Sequence, residues 1–181
     1  DTLKIRAFVE EKKPETAVVT GGGFIGLEMA ENLCDMGVKV TVVQRPKQLM
    51  NTLDYDMAAL VHNKLRSRGI NLKLGGNVTG FAGKEHLQVL LKDDEPINTD
   101  MVLIAIGVRP ETELAEKIGL EPGIKGSIVV NDRMETSVPD IYAVGDAVQI
   151  KHSVSGKDAV ISLAGPANKQ GRIAADNICG L

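Results

Sequence analysis

The feature that most constrains this chain is a group of glycines between an apolar segment and a helical pattern. Gly21, Gly23 and Gly26 occupy the glycine positions of the pattern G-x-G-x-x-G. In that pattern the first glycine allows a tight turn, the second lets a pyrophosphate approach the backbone, and the third lets the helix pack close to its strand. A glycine turn that only packs a helix on a strand is the alternative. Because a second apolar segment follows at residues 38–43, as in a βαβ unit, the sequence predicts a dinucleotide-binding turn.

The order of apolar segments and helical patterns predicts an α/β fold with a Rossmann-like parallel sheet. Apolar runs without polar alternation are typical of strands that are covered on both faces. Residues 77–100 differ, because short apolar stretches alternate there with turn signals, which predicts a three-stranded antiparallel meander in place of one crossover helix. The elements predicted before the meander are a helix at 1–13, a strand at 16–20, a helix at 24–36, a strand at 38–43, a helix at 54–68 and a strand at 70–74.

The spacing of apolar residues by three and four predicts which side of each helix faces the core. His62 lies without a nearby partner on the helix at 54–68, and we expect a surface or packing histidine there rather than a catalytic one. The predicted inner sides consist of Ile25, Met29, Leu33 and Met36 in the helix at 24–36, and of Met57, Leu60, Val61, Lys64 and Leu65 in the helix at 54–68.

The end of the second predicted strand carries information on the dinucleotide. A fold of this type that prefers NAD usually places Asp or Glu there, to hold the ribose hydroxyls. This chain has Gln44, followed by Arg45 and, two residues later, Lys47. With no carboxylate and two cations, the site is expected to tolerate or attract a 2′-phosphate. The alternative is a solvated basic turn.

A glycine motif also follows the apolar strand predicted at 101–106. Gly107 lets the backbone pass close to a ligand, and Pro110 turns the chain sharply. A short helix at 112–118 and a short strand at 128–130 are predicted next.

The last third of the chain contains a Gly-Asp pair after another predicted strand. The buried strand expected at 141–144 leads into Gly145 and Asp146, and the final helix is expected at 165–178. A carboxylate at the carboxyl end of a strand in an α/β sheet suits sugar or ribityl hydroxyls. A solvated turn aspartate is the alternative.

Composition excludes several classes of partner. The net charge of −3 comes without a basic cluster, which argues against nucleic acid and acidic membrane surfaces. The longest apolar run, at 101–108, is too short to span a bilayer. Cys34 and Cys179 form neither a C-x-x-C pair nor a metal-ligand spacing, so we expect no metal site and a reducing cytoplasm. The chain opens on Asp1 rather than Met, as expected of a piece of a longer protein.

Taken together, the motifs resemble the signatures of pyridine nucleotide-disulfide oxidoreductases. The segment LAGPANKQGR at 163–172 is similar to the matching segment of the coenzyme A-disulfide reductase and NADH oxidase branch of that family. The order and spacing of the motifs make the resemblance specific, and it covers nearly the whole chain. The three signatures are GGGFIGLE at 21–28, AIGVRP at 105–110 and TSVPDIYAVGD at 136–146.

The resemblance implies a flavoenzyme whose FAD-binding domain is split by an inserted NAD(P)-binding domain. Residues 1–13 would be a lead-in helix, 14–135 the NAD(P)-binding domain, and 136–181 the C-terminal part of the FAD-binding domain. Such an enzyme passes hydride from NAD(P)H to flavin and on to a cysteine-based or disulfide acceptor such as coenzyme A disulfide, and forms a homodimer through a further domain. The alternatives are an NADH oxidase or electron-carrier reductase of the same family, or a stand-alone NAD(H)-binding sensor module.

The resemblance also assigns roles to residues. Glu28 would hold the nicotinamide carboxamide, and Phe24 would gate the nicotinamide face. No catalytic residue is expected in this chain, because Cys34 and Cys179 match neither position of the family's redox cysteines and the FAD glycine fingerprint is absent, so the chain alone is expected to be inactive. The predicted cofactor-binding residues are Gly21, Gly22, Gly23, Phe24, Ile25, Gly26, Glu28, Gln44, Arg45 and Gly107 for NAD(P)H, and Gly145, Asp146, Leu163 and Ala164 for FAD.

Overall fold

A four-stranded parallel sheet is the centre of the first half of the chain. The computed structural model describes residues 1–84 and 86–181. The elements of this half are α1 (Thr2–Lys12), β1 (Thr16–Thr20), α2 (Phe24–Asp35), β2 (Lys39–Gln44), α3 (Tyr55–Ser67), β3 (Asn71–Leu74), β4 (Val78–Ala82), β5 (Leu87–Leu91), β6 (Ile97–Thr99) and β7 (Met101–Ile104). The sheet has the order β3-β2-β1-β7, and its neighbouring strands are parallel. The Rossmann-like fold predicted from the sequence is therefore confirmed.

The parallel sheet is covered differently on its two faces. Successive residues of a strand point to opposite faces. Val19 of β1 lies in one buried cluster with Leu33 of α2, while the neighbouring Val18 lies in a second cluster with Val89 of β5. Both valines are almost fully buried. The centre of β1 is therefore apolar on both faces because helices pack on one face and the meander packs on the other.

The predicted antiparallel meander is present. Strands β4, β5 and β6 form a three-stranded sheet in that order, with both neighbouring pairs antiparallel. A register shift between Val78 and Gly80 interrupts the β4–β5 pairing. One layer of short strands thus takes the place of a crossover helix.

Helix α2 is rotated relative to the predicted inner side. Ile25 and Met36 are 56% and 53% exposed, although both were expected to face the core. A Cβ atom added at Gly26 would overlap the carbonyl oxygen of Gly21, so Gly26 has to face the end of β1. This close approach selects the face of α2 that contains Gly26. The residues of α2 that are buried are Gly26, Leu27, Ala30 and Leu33.

Helix α3 shows a similar difference. Met57 and Leu60 were expected inside and are exposed. Leu65 is buried as expected, and Ala58 and His62 are buried although they were not expected on the inner side. The prediction was wrong for Met57 and Leu60 because it counted apolar residues, whereas a histidine whose ring bonds to a buried backbone N–H can occupy the buried face.

The second half of the chain is built on smaller elements. These are α4 (Glu113–Lys117), β8 (Ile128–Val129), β9 (Val148–Lys151), β10 (Asp158–Ala159) and α5 (Ala164–Ile178), with single 3-10 turns at Ile124–Gly126 and Gly145–Ala147. The strands form a small sheet of order β10-β9-β8, with β8 and β9 parallel and β9 and β10 antiparallel. The pairing of β9 and β10 was not anticipated from the sequence.

The prediction of a strand at 141–144 is wrong, because the structure describes these residues outside any strand. Tyr142 makes only an isolated bridge with Glu135, and Val144 is exposed. The backbone of this segment bonds to a neighbouring turn, with Ala143 N–H donating to the Met134 carbonyl at 3.0 Å. An apolar run becomes a strand only where other strands accept and donate its backbone hydrogen bonds, and here one short turn is the partner.

Two compact units divide the chain, Asp1–Gly107 and Val108–Leu181. They are called the first and the second unit below. The functional boundary expected between residues 135 and 136 concerns the cofactor that each part holds, and it stays a prediction. Among the described residues, no helix is both long and apolar enough to cross a bilayer.

Replacing Gly26 by alanine is expected to lower the free energy of unfolding by about 1–3 kcal/mol, because the added Cβ overlaps backbone atoms of Gly21. Gly171→Ala in α5 is the matched control. A Cβ at Gly171 has no neighbour within 4 Å, and alanine is favoured over glycine in a helix by about 0.5–1 kcal/mol. Urea unfolding followed by circular dichroism measures both variants. A Gly26→Ala chain as stable as the wild type would contradict the close approach of α2 to the Gly21 turn.

Candidate functional site

A cavity of about 710 Å³ lies at the carboxyl edge of the parallel sheet in the first unit. Its walls come from the glycine loop at 21–23, the end of β2, the meander strand β4 and the segment 105–107 after β7. Since parallel strands end at the same edge, the loops that follow β1, β2 and β7 meet here. Ligands of open α/β sheets bind at this edge.

The three glycines of the fingerprint have different surroundings. Gly21 has a φ of 108°, and a Cβ there would overlap the carbonyl oxygen of Ala105. Gly26 meets the Gly21 carbonyl, as described for the fold. Gly23 differs, because a Cβ added to it would have no heavy atom within 4 Å. The first and third glycines therefore serve packing, whereas the second leaves the backbone open to a ligand.

The first turn of α2 presents backbone donors at this loop. Gly23 is the N-cap residue, and in the described part of the chain no side chain caps the helix. The first N–H groups of a helix have no partner inside the helix, and the dipole makes this end positive. Phe24 and Ile25, which begin α2, are both exposed. This arrangement is one that binds phosphate groups.

Residues of β2 brace the glycine loop. The Gly21 N–H donates to the Val43 carbonyl at 2.9 Å, and the Gly22 N–H donates to Oε1 of Gln44 at 2.9 Å. Gln44 is half-buried, while Arg45 is exposed, and both line the cavity. Sequence reasoning assigned Gln44 to the ribose but did not find its bond to the loop.

The segment after β2 also contacts the loop. The Met50 N–H donates to the Gly22 carbonyl at 2.9 Å, and the adjacent Leu49 N–H donates to Nε2 of His62 at 3.1 Å. His62 is only 3% exposed. Burial and then the positive charge of Arg66 lower the pKa of His62 below its ordinary value. The lone histidine of α3 is therefore a buried, hydrogen-bonded residue.

The structure places the remaining predicted residues of the first unit near this loop. Glu28 is exposed and lies one helical turn beyond Phe24, on the same side of α2. Gly107, with a φ of 117°, lines the cavity directly. Phe24, Ile25 and Glu28 are not among its lining residues and stand on the exposed start of α2.

The Gly-Asp turn of the second unit has its own surroundings. Gly145 has a φ of 87°, and its N–H donates to Oε1 of Gln170 at 2.7 Å. Gln170 lies on α5 and is 6% exposed, so it is a buried anchor that sequence reasoning missed. The adjacent Asp146 is exposed and borders a cavity of about 350 Å³.

The start of α5 carries the other two residues predicted for the flavin. Leu163 is the N-cap of α5, and Ala164 is its first residue. Both are exposed. The structure thus places the predicted residues in two groups, one in each unit.

A further cavity of about 730 Å³ lies in the first unit at the amino ends of the strands. Asp100, which borders it, accepts hydrogen bonds from Glu15 N–H at 3.1 Å and from Thr16 N–H and Oγ1 at 2.9 and 2.8 Å. The hydrogen bonds from Thr16 lower the pKa of Asp100. The hydrogen bonds of this carboxylate join β1 to the turn before β7.

Cysteines and metal ligands are not concentrated at either place. Cys34 is half-buried and donates its Sγ–H to the Arg68 carbonyl at 3.3 Å, while Cys179 is exposed just beyond α5. Across residues 1–84 and 86–181, no group of three or more His, Cys, Asp or Glu residues could hold a metal ion.

Many known proteins, including the following three, are similar to this chain. A CoA-dependent NAD(P)H sulfur oxidoreductase of Pyrococcus abyssi is 35% identical, over 99% of this chain and 40% of its own length. The structure of reduced Bacillus anthracis CoADR-RHD has a TM-score of 0.94 and 44% identity, over 99% of this chain and 32% of that one. An engineered water-forming NADPH oxidase bound to NADPH, derived from a Lactobacillus brevis enzyme, has a TM-score of 0.88 and 29% identity, over 98% of this chain and 40% of that one.

These similarities confirm the predicted family and its branch. The chain spans 40% of the length of the Pyrococcus relative. Residues 4–171 match the family described as pyridine nucleotide-disulphide oxidoreductase, and they include the motifs at 21–28, 105–110 and 136–146. Since the match covers far more than half of the sequence, this chain belongs to the pyridine nucleotide-disulphide oxidoreductase family.

Proposed function

We propose that the first unit binds NAD(P)H with its pyrophosphate at the glycine loop, as part of an FAD-dependent oxidoreductase. The observation that supports this most directly is the open backbone at Gly23, next to the uncapped start of α2. A pyrophosphate needs close backbone approach, N–H donors and a positive field, and these coincide at that point. The cavity of about 710 Å³ beside the loop is of the size that small-molecule ligands occupy.

The two ends of the dinucleotide would lie on opposite sides of this loop. Gln44 and Arg45 line the cavity and would face the adenosine ribose. Glu28 and Phe24 stand exposed at the start of α2, where Glu28 would hold the nicotinamide carboxamide and Phe24 would gate the nicotinamide face. When both cofactors are bound they supply the hydride chemistry, while the protein orients the rings and excludes water.

The second unit would contribute to the flavin site. Asp146 is exposed, and its turn is anchored by the buried Gln170. A carboxylate held in this way suits the hydroxyls of a ribityl chain. Gly145, Leu163 and Ala164 would lie beside it, because the Gly-Asp turn and the start of α5 belong to the segments that resemble the family's flavin signatures.

The whole enzyme would pass reducing equivalents from the flavin to a cysteine-based or disulfide acceptor such as coenzyme A disulfide. The Pyrococcus relative is named as a CoA-dependent sulfur oxidoreductase, which supports this class of acceptor. Cys34 donates to a backbone carbonyl, and Cys179 lies beyond α5 in the other unit. Neither thiol would accept reducing equivalents from a dinucleotide bound at the glycine loop, so the chain by itself would be inactive. We further propose that the whole enzyme is a homodimer and that it lies in a reducing cytoplasm.

A second candidate within the family is an NADH oxidase or an electron-carrier reductase, which the likeness to the water-forming oxidase favours. A stand-alone NAD(H) sensor module is less well supported. A sensor has no use for a Gly-Asp turn that a buried glutamine holds in place.

Enlarging Gly23 tests the proposed binding site. Gly23→Ala and then Gly23→Val should weaken the binding of NADH and NADPH progressively, with little or no binding left in the valine variant, because the side chain fills the space for the pyrophosphate. The added atoms meet no protein atom, and the φ of −89° at Gly23 is open to any residue, so thermal unfolding should stay close to that of the wild type. Titration calorimetry measures the affinity. Unchanged affinity in Gly23→Val would exclude this loop as the dinucleotide site.

Gln44 and Arg45 test the choice between the two dinucleotides. NADPH is expected to bind at least as well as NADH, because an uncharged residue followed by arginine stands at the ribose. Two adjacent substitutions in the engineered NADPH oxidase likewise replace aspartate by alanine and alanine by arginine. Gln44→Glu keeps an oxygen for the Gly22 N–H, so it changes the charge and leaves the brace intact. It should shift the ratio of affinities toward NADH, by about 1 kcal/mol or less at this accessible position.

Arg45→Ala should lower the affinity for NADPH and leave that for NADH nearly unchanged. Lys47→Ala is its matched control, since it removes the same charge from the same loop and Lys47 does not line the cavity. Affinities for both dinucleotides at low and high salt give the comparison. If Gln44→Glu leaves the ratio of the two affinities unchanged, or if Arg45→Ala leaves the affinity for NADPH unchanged, Gln44 and Arg45 do not contact the ribose.

The flavin proposal predicts the colour of the purified 181-residue chain. We expect a colourless protein without bound FAD, because the sequence has one G-x-G-x-x-G motif and we assign it to NAD(P)H. The Asp146 turn alone lacks the phosphate contacts that supply much of dinucleotide binding. An absorption spectrum in the flavin bands gives the answer. A yellow protein with one FAD per chain would mean that these residues form a complete flavin site.

A further inference from the structure

A buried polar contact lies behind the glycine loop. His62 of α3 accepts the Leu49 N–H at its Nε2 atom, at 3.1 Å, and Leu49 is itself fully buried. The imidazole ring is also edge-on to Tyr55, with the ring centroids 6.2 Å apart. A ring nitrogen that accepts a hydrogen bond carries no proton, so His62 is the neutral tautomer with its proton on Nδ1.

The residues that His62 holds are the ones that touch Gly22. The Met50 N–H donates to the Gly22 carbonyl at 2.9 Å, and a Cβ added at Gly22 would overlap the side chain of Leu49. From the other side, Gln44 accepts the Gly22 N–H. Gly22 is therefore held by hydrogen bonds with Gln44 and Met50 and by close packing against Leu49.

The backbone at this point needs external support. Met50 has a φ of 48°, a left-handed conformation that is unusual for a residue with a side chain. Such a conformation persists where surrounding contacts determine it. The adjacent Leu49 N–H has His62 as its partner, so the histidine is one of the contacts that keep this turn in shape.

We propose that neutral His62 is a positioning residue for the dinucleotide site, acting through Leu49 and Met50 to hold Gly22 and the glycine loop in the shape that receives the pyrophosphate. The proposal rests on the proposed function of that loop. His62 does not touch the cavity itself, because it is buried on α3 and is not among the lining residues. It would affect the affinity for the dinucleotide indirectly, through the backbone of Leu49 and Met50.

Protonation would disrupt this arrangement. A protonated ring has donors at both nitrogens, so Nε2–H would face the Leu49 N–H, donor against donor. Arg66 disfavours the protonated ring, and the acidic residues Asp54 and Asp56 lie about two helical turns away at the start of α3. Arg66 follows one turn later on α3, the facing segment at 45–53 carries Arg45 and Lys47 and no acidic residue, and Lys73 of β3 is paired with Asp94.

The direction of the pH dependence follows from these charges. Burial and Arg66 lower the pKa of His62, so the folded state keeps the ring neutral below the ordinary value of about 6.5. The contact to Leu49 is then complete at neutral pH and is lost as the pH falls through the lowered pKa. Affinity for the dinucleotide should fall over the same acidic range.

Two substitutions distinguish the effect of the hydrogen bond to Leu49 from the effect of protonating His62. His62→Gln keeps an acceptor and cannot titrate, whereas His62→Phe keeps an aromatic ring and leaves the Leu49 N–H without a partner. The probe is NAD⁺, which is stable in acid, titrated into the 181-residue chain between pH 5 and pH 8. His152→Gln in the second unit is the control for a histidine elsewhere.

The wild type and His152→Gln should lose affinity on acidification, while His62→Gln should bind as well as the wild type at neutral pH and lose less in acid. His62→Phe should bind about tenfold more weakly at neutral pH, as expected when a buried N–H loses its partner. A His62→Gln profile that matches the wild type over the whole range would overturn the proposal, and so would full affinity in a folded His62→Phe chain. If His62→Phe does not fold, the glutamine profile decides alone. A wild type that binds neither NADH nor NAD⁺ at neutral pH would overturn the proposed function itself.

Discussion

The close approach of α2 to the end of β1 is the constraint on which the first unit depends. Gly26 faces the carbonyl of Gly21, and Gly21 in turn faces the carbonyl of Ala105 beyond β7. Backbone thus packs on backbone at the point where two parallel strands end, and neither contact leaves room for a side chain. The same approach directs the start of α2, with its N–H groups, toward the open backbone at Gly23. Packing and the proposed chemistry of the site therefore have one geometric origin.

The strands and the meander could be predicted because their signals are local. Val18 and Val19 lie in a run without polar alternation, and the turn residues at 83–84 and 93–96 separate short strands. The faces of the helices could not be predicted in the same way. Ile25 is exposed because a backbone contact at Gly26, and not the sum of apolar residues, determines the rotation of α2. A contact between residues far apart in sequence has no periodic pattern that would reveal it.

The candidate site shows the same division. The glycines and the Gln44-Arg45 pair could be identified because residues of these types recur at a fixed spacing in dinucleotide-binding folds. Their roles toward the cofactors stay predictions. The contacts that hold them were not identified. Gln170 and His62 each place one buried polar atom on a backbone N–H of a turn, at Gly145 and at Leu49. In a sequence, a single glutamine or histidine on a helix carries no sign of such a partner.

The order of strands in the parallel sheet has a consequence for how this site comes into being. Strand β7 pairs with β1 across more than eighty residues, with Val18 opposite Val102, whereas the meander pairs through short turns. Closing a long loop is slow because its entropy is lost before any contact is gained. The Ala105 carbonyl that shapes the Gly21 turn arrives only with β7. The glycine loop therefore has its final form only once β7 has paired with β1, so a nucleotide that recognises this form would select molecules in which that pairing is complete.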